Sequence, residues 1–220
     1  MASKTSKRPG AARKTASISD QGDIGAERPS PEEREAGGKA ARAKVPLEAH
    51  ADFQPRKSRD PVALLLDQDQ TRVPELVPIR HGRMLVSPFT FYRGAALVMA
   101  ADLDTTPTTG LQTQLCGDAH LSNFGAYASP ERRLVFDIND FDETLPGPFE
   151  WDVKRLAASF AVAGRDNGFT KKQSRTATLT AVESYRTAMQ GFAAQPIRCL
   201  VCAPRHRRRR GSIQVHAHRS

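Results

Sequence analysis

Large apolar residues at helical or strand spacing occur only between about residue 60 and residue 194, so any packed core in this 220-residue chain must come from that stretch. Charge divides at the same places. Residues 1–59 hold 13 Lys and Arg against 8 Asp and Glu, residues 60–194 hold 13 against 16, and residues 195–220 hold seven Arg and no acid. The net charge of +9 therefore belongs to the two ends, and the middle is mildly acidic. A basic chain ordinarily raises nucleic acid or a membrane surface as partner, but here the core carries none of that charge. Nucleic acid is expected only non-specifically, through the run Arg207–Arg210.

Residues 1–58 are rich in Lys, Arg, Ser, Ala, Gly and Pro, and bury too little apolar surface to offset their ordering entropy, so they are expected to be disordered. The basic N-terminus has no apolar stretch behind it and does not read as a secretory signal. The longest apolar runs, Val62–Leu66 and Ala95–Ala101, fall far short of the ~20 residues of a membrane span. Three cysteines, Cys116, Cys199 and Cys202, make no disulfide framework. A cytoplasmic, reduced protein is the expectation.

Between the ends, helix starts are signalled by Asp60-Pro61 and by Ser87-Pro88, the second leading one helix through Phe91, Ala95, Val98 and Leu103. Leu111, Thr113 and Leu115 alternate with glutamines as in a half-buried strand. Residues 123–127 and 133–138, separated by Ser129-Pro130-Glu131, predict a hairpin with Leu134, Phe136 and Ile138 on one face. After a loop at Glu143–Pro148, two helices follow. One is marked by Val153, Leu156, Ala157, Phe160 and Gly164, the other by Leu179, Val182, Tyr185, Met189 and Phe192. The order predicts an α+β domain over residues 60–194. Residues 195–220 show no period and read either as an out-of-frame stretch or as a genuine basic tail. Cys199-x-x-Cys202 with His206, His216 and His218 has zinc-like spacing, but chance explains it better there.

Two segments carry chemistry: Leu115-Cys-Gly-Asp-Ala-His-Leu-Ser-Asn-Phe-Gly125 and Val135-Phe-Asp-Ile-Asn-Asp-Phe-Asp-Glu143. An Asp five residues ahead of an Asn, on a loop after a strand, suits phosphoryl transfer. Asp118 would accept the acceptor hydroxyl's proton, and Asn123 would offer its amide oxygen to magnesium. Asp140, handed to a loop by an apolar strand, would be a second oxygen ligand. Asp142, His120, Arg93 and Lys154 are accessory candidates. Arg93 could meet phosphate or the acid loop, and Lys154 and Arg155, opening a helix, could pair with acids such as Asp140 or Glu150. Any one loop acid more often only caps a turn, and Asp137 is the clearest such case. Gly-Asp-Ala-His also suits a metal-dependent phosphoesterase, but that site needs several more histidines.

From Ile79-Arg-His-Gly-Arg-Met84 through FYRGAALVMAADL, QLCGDAHLSNFG and FDINDFDETLPGPFEWDVKRLAASFAVAGR, the chain resembles the bacterial family called domain of unknown function 2252. Its motifs are similar to those of aminoglycoside and choline phosphotransferases. That resemblance implies a fragment like the C-terminal lobe of a protein-kinase-like fold, with Asp118 as base, Asn123 and Asp140 as magnesium ligands, and Asp152 as a structural carboxylate. Cys116 stands where such loops carry His. Family members continue into a Gly-x-Gly-Ser-x-Gly stretch and a Gln-x-Lys-Glu, and neither occurs in these residues. The implied activity is ATP-dependent transfer to an unidentified hydroxyl, with this chain truncated and inactive by itself. A non-catalytic binding module acting through its basic ends is the rival.

Overall fold

Asp60 and Ser87 begin helices by satisfying backbone donors that the first turn leaves without partners. The structure is a computed structural model and describes residues 29–195. In it Asp60 Oδ1 accepts from Ala63 N at 2.9 Å to start α2 (Pro61–Asp69). Ser87 and Thr90 exchange side-chain and backbone bonds to start α4 (Pro88–Gly94). Between them lies α3 (Val77–Met84). The helix predicted through Leu103 does not run unbroken. Ala95 leaves helical geometry at φ −113°, ψ 39°, and α5 (Ala96–Leu103) starts afresh. The break frees the Gly94 carbonyl, which accepts from the Arg80 guanidinium. Leu65, Met84, Ala95 and Val98 close the small apolar core of these helices.

The described residues divide between Ala40 and Ala41 into two units. Within residues 29–58, expected to be disordered, a helix α1 (Pro31–Lys44) and a 3-10 turn at Leu47–Ala51 are present. The helix has no buried residue, in keeping with the poor apolar content. Local terms make it instead: Ser30 and Glu33 cap each other at 3.2 and 2.7 Å, and Glu35 meets Lys39 at 2.7 Å one turn on. Composition had revealed the missing core but not these short-range terms.

Two antiparallel ribbons follow. β1 (Gln112–Leu115) pairs with β4 (Leu145–Pro148), in register Gln112 to Pro148 and Leu115 to Leu145. The segment predicted as a loop is thus a strand. Its prolines occupy alternate positions, so both can turn their missing donor to the open edge of a two-stranded sheet. Of the residues expected to alternate in β1, only Leu115 is buried, and Leu111 and Thr113 are exposed. The hairpin forms as predicted from β2 (Phe124–Ala128) and β3 (Leu134–Ile138), with Phe124 opposite Ile138. Its apolar side is open: Leu134 is 73% and Phe136 69% exposed.

Helices α6 (Phe149–Asp166) and α7 (Lys171–Ala193) complete a mixed α+β architecture of seven α-helices and four strands among the described residues. Val153, Leu156 and Ala157 face Ala181, Val182 and Tyr185. At the turn, Gly164 lies against Ser174, too close for a Cβ. The deeply buried side chains of α6 are nevertheless Glu150, Arg155 and Ser159 besides Ala163 and Gly164. Of these, Arg155 and Ser159 bond the loop after β1, and Glu150 bonds Thr109 ahead of it.

Candidate active site

The loop 116–123 is held by α6, one side chain per turn. Asp152 accepts from Cys116 N at 2.7 Å and from Gly117 N at 3.1 Å. Arg155 grips the Asp118 carboxylate, with Nε 2.6 Å from Oδ1 and Nη2 on the same oxygen. Ser159, fully buried, accepts from Leu121 N at 3.1 Å and donates to Leu156 O at 2.6 Å. Spacings of three and four residues put all three on one face of the helix. Within the loop, Asn123 Nδ2 donates to the Asp118 carbonyl at 2.8 Å, and its Oδ1 meets no protein donor among the described residues.

Arg155, expected from the sequence to pair with an acid such as Asp140 or Glu150, pairs instead with Asp118 and is the most heavily engaged residue of the site. Besides Asp118 it donates from Nη2 to Tyr92 O at 3.0 Å, and its guanidinium lies 4.6 Å over the Tyr92 ring. The Tyr92 hydroxyl donates back to Arg155 O at 2.7 Å, and burial pushes that phenol up to about 12. The sequence carries a signal for the place of Arg155: Asp152, Arg155 and Ser159 form a polar stripe at helical spacing.

His120 is buried, 6.4 Å edge-on from Phe89, with Nε2 3.6 Å from Asp118 Oδ2, beyond hydrogen-bond reach. Burial holds its imidazole below the ordinary 6.5; Asp118 pulls it up, and Arg155 and Arg93 push it further down. A neutral buried imidazole stabilises the fold above the unfolded value, and that contribution is lost as pH falls through the depressed folded value. The urea midpoint is therefore expected to drop from about pH 7.5 to about pH 5.5, by less in His120→Gln. The variant isolates this effect from Asp152 and Glu143, whose raised carboxyls act in the opposite sense. An equal drop in both proteins would remove His120 as the cause.

Asp140 reaches the loop through its backbone. Asn139 N donates to Asn123 O at 3.0 Å, and Cys116 Sγ donates to Asp140 O at 3.4 Å. Its carboxylate is exposed and accepts from Asp142 N at 3.3 Å in a local turn. Asp118, Asn123, His120 and Asp152 thus lie together, with Asp140 and Asp142 on the loop beside them. Burial raises the Glu143 carboxyl, and Asp118, Asp140 and Asp142 add to the rise. Burial, with Asp152, Asp118 and Asp140, pushes the Cys116 thiol up to about 11. Arg93 is exposed, and acts on His120 only through its charge. Lys154 pairs with neither Asp140 nor Glu150: its Nζ donates to Thr106 Oγ1 at 2.9 Å and lines a different groove. The cysteines and histidines of residues 199–218 and the Arg run lie outside the described residues.

A mixed α+β domain with a buried Asp–Arg pair under a glycine-bearing loop defines the class. The chain belongs to the bacterial family described as an uncharacterized protein conserved in bacteria, DUF2252, whose family model matches residues 72–217. The match begins within the domain drawn from the sequence and runs past residue 194, where that domain was expected to close. No curated protein and no solved structure matches the chain. No helix among the described residues is long and apolar enough to cross a membrane.

Proposed function

We propose that Asp118, Asn123 and Asp140 form the acceptor and metal side of a site for phosphoryl transfer from ATP to a hydroxyl. The acceptor O–H would lose its proton to Asp118 as its oxygen forms a bond to the terminal phosphorus of ATP; the bond to ADP breaks, and ADP leaves. The carrying observation is that Asn123 uses its amide N–H on the Asp118 carbonyl, which leaves Oδ1 open at the same loop. Arg155 occupies Asp118 Oδ1, so Oδ2 is the oxygen for the proton. Asp152 would keep the loop in place through its two backbone bonds.

The donor chemistry fits magnesium, which takes oxygen ligands and keeps waters and phosphate oxygens around only one or two protein groups. Among the described residues no three His, Cys, Asp or Glu side chains close on one ion, so Asn123 and Asp140 would hold it with ATP's help. The crowded carboxylates that raise Glu143 would be relieved by a cation. Bound there, magnesium would neutralise phosphate charge. The phosphoesterase alternative gains nothing from His81, which lies 2.8 Å from Asp69.

Mn²⁺ substitutes for Mg²⁺ and can be followed by water-proton relaxation. With ATP present, binding is expected to weaken about tenfold or more in Asn123→Ala and Asp140→Asn, and to hold in Asp142→Asn. Mn²⁺ binding that both substitutions leave unchanged overturns the reading. ATP turnover by the 220-residue chain alone is expected to be no faster than that of Asp118→Ala, because no Gly-rich stretch with a nucleotide lysine is recognisable in it.

A further inference from the structure

We propose that the groove between α4, α5, α6 and residues 50–59 binds a single-chain amphiphile, with its apolar chain along the groove and its anionic head at Lys154. The groove encloses about 600 Å³ and is walled by Phe53, Phe91, Val98, Met99, Leu103 and Val162. That volume lies within the roughly 300–1,000 Å³ of small-molecule sites, which combine apolar walls with a few polar groups.

The head group follows from charge. Two cations, Arg59 and Lys154, and two carboxylates, Asp52 and Asp102, line the groove, and Asp52 accepts from Gln54 Nε2 at 3.0 Å. Arg59 is already matched by both carboxylate oxygens of Asp102, at 2.6 and 2.8 Å. Lys154 meets a neutral hydroxyl, Thr106 Oγ1. One turn back along α6, Glu150 gives its Oε1 to Thr109 N and Oγ1 at 2.8 and 2.6 Å, while its Oε2 is buried with no hydrogen-bond partner among the described residues. Among the described residues no carboxylate lies within ion-pair distance of Lys154; partial burial pushes its ammonium below the ordinary value, and the charge of Glu150 acts the other way. A cation on the wall of an apolar groove is stabilised by an anion placed on it. A purely apolar occupant would leave that charge unmatched.

The groove also touches the site from behind. Tyr92 and Met99 are part of its wall. Tyr92 is the side chain that stacks on and hydrogen-bonds with Arg155, and Met99 Sδ lies 3.6 Å from Arg155 Nη1. An occupant would thus press on the groups that hold the arginine clamping Asp118, whatever Asp118 does chemically.

The test uses the 220-residue chain with ¹³C-methyl methionine and decanoate kept below micelle formation. Met99 lines the groove, whereas Met84 and Met189 do not, and they serve as internal controls. Decanoate is expected to shift the Met99 methyl signal and leave Met189 in place. Affinity should fall about tenfold in Lys154→Met, the loss of one charge-assisted bond, and by a similar factor for neutral decan-1-ol. Ala158→Trp, which fills the groove, should abolish the shift; where that variant does not keep the Met84 and Met189 signals of the folded chain, Val162→Phe replaces it. A Met99 signal that decanoate does not move overturns the site. A shift of equal affinity for acid and alcohol, unaffected by Lys154→Met, overturns the anionic head.

Discussion

Arg155→Met is expected to cost about 3–5 kcal/mol of stability, because it strands the Asp118 carboxylate in a buried position. Both side chains are nearly out of solvent, 3% exposed for Arg155 and 11% for Asp118, so water cannot replace the lost partner. The arginine also gives up its bond to Tyr92 O and its place over the Tyr92 ring. Asp118→Asn alone reverses the problem and strands the guanidinium. The double variant removes both charges, and should be markedly more stable than the sum of the two single losses predicts. A coupling of about 1 kcal/mol or more from urea unfolding is the expected result. Simple additivity would mean that the pair does not hold the loop to α6. The same loss would detach Asp118 from the helix without touching Asn123 or Asp140. Mn²⁺ binding in a still-folded Arg155→Met therefore separates the metal side of the proposed site from its base.

What could be read from the sequence was largely what lies within a few residues. Asp60 and Ser87 were legible as caps because a capping side chain bonds a backbone donor three residues on. The hairpin was legible because its turn and its period-two strands are contiguous. Asp118 and Asn123 share one short loop, and the bond between them lies within it. Features that depend on distant partners were not legible. Arg155 was legible as a helix-opening cation in need of an acid, but its partner Asp118 lies 37 residues away and nothing local distinguished it from Asp140 or Glu150. Strand β4 was hidden by its own prolines, which only the register against β1 makes acceptable. The break at Ala95 was hidden because Arg80, which takes the freed Gly94 carbonyl, comes from another helix. In each case the sequence carries the residue types, while the reason for their positions lies across the fold.

Gly117 ties these two scales together, and its substitution is expected to be as damaging as loss of Arg155. Its φ is +84°, a conformation that costs an ordinary L-residue roughly 1–2 kcal/mol. A Cβ there would also overlap the carbonyl oxygen of Glu143, on the loop that carries Asp140 and Asp142. Backbone cannot swing aside as a flexible side chain can, so the overlap adds about 1–3 kcal/mol or forces the two loops apart. Gly117→Ala should therefore lose about 3 kcal/mol or more in urea unfolding. Gly117→Asn distinguishes the two causes. Asparagine tolerates positive φ but carries the same Cβ, so relief by Asn would assign the cost to backbone strain. The overlap with Glu143 predicts that Asn and Ala are nearly equal. It further predicts that both weaken Mn²⁺ binding, because the Asp140 loop must move, while the bonds from Asp152 to Cys116 N and from Arg155 to Asp118 remain available. Gly117→Ala with wild-type stability would show that the two loops are not in contact in solution, and the placement of Asp140 beside Asn123 would fall with it.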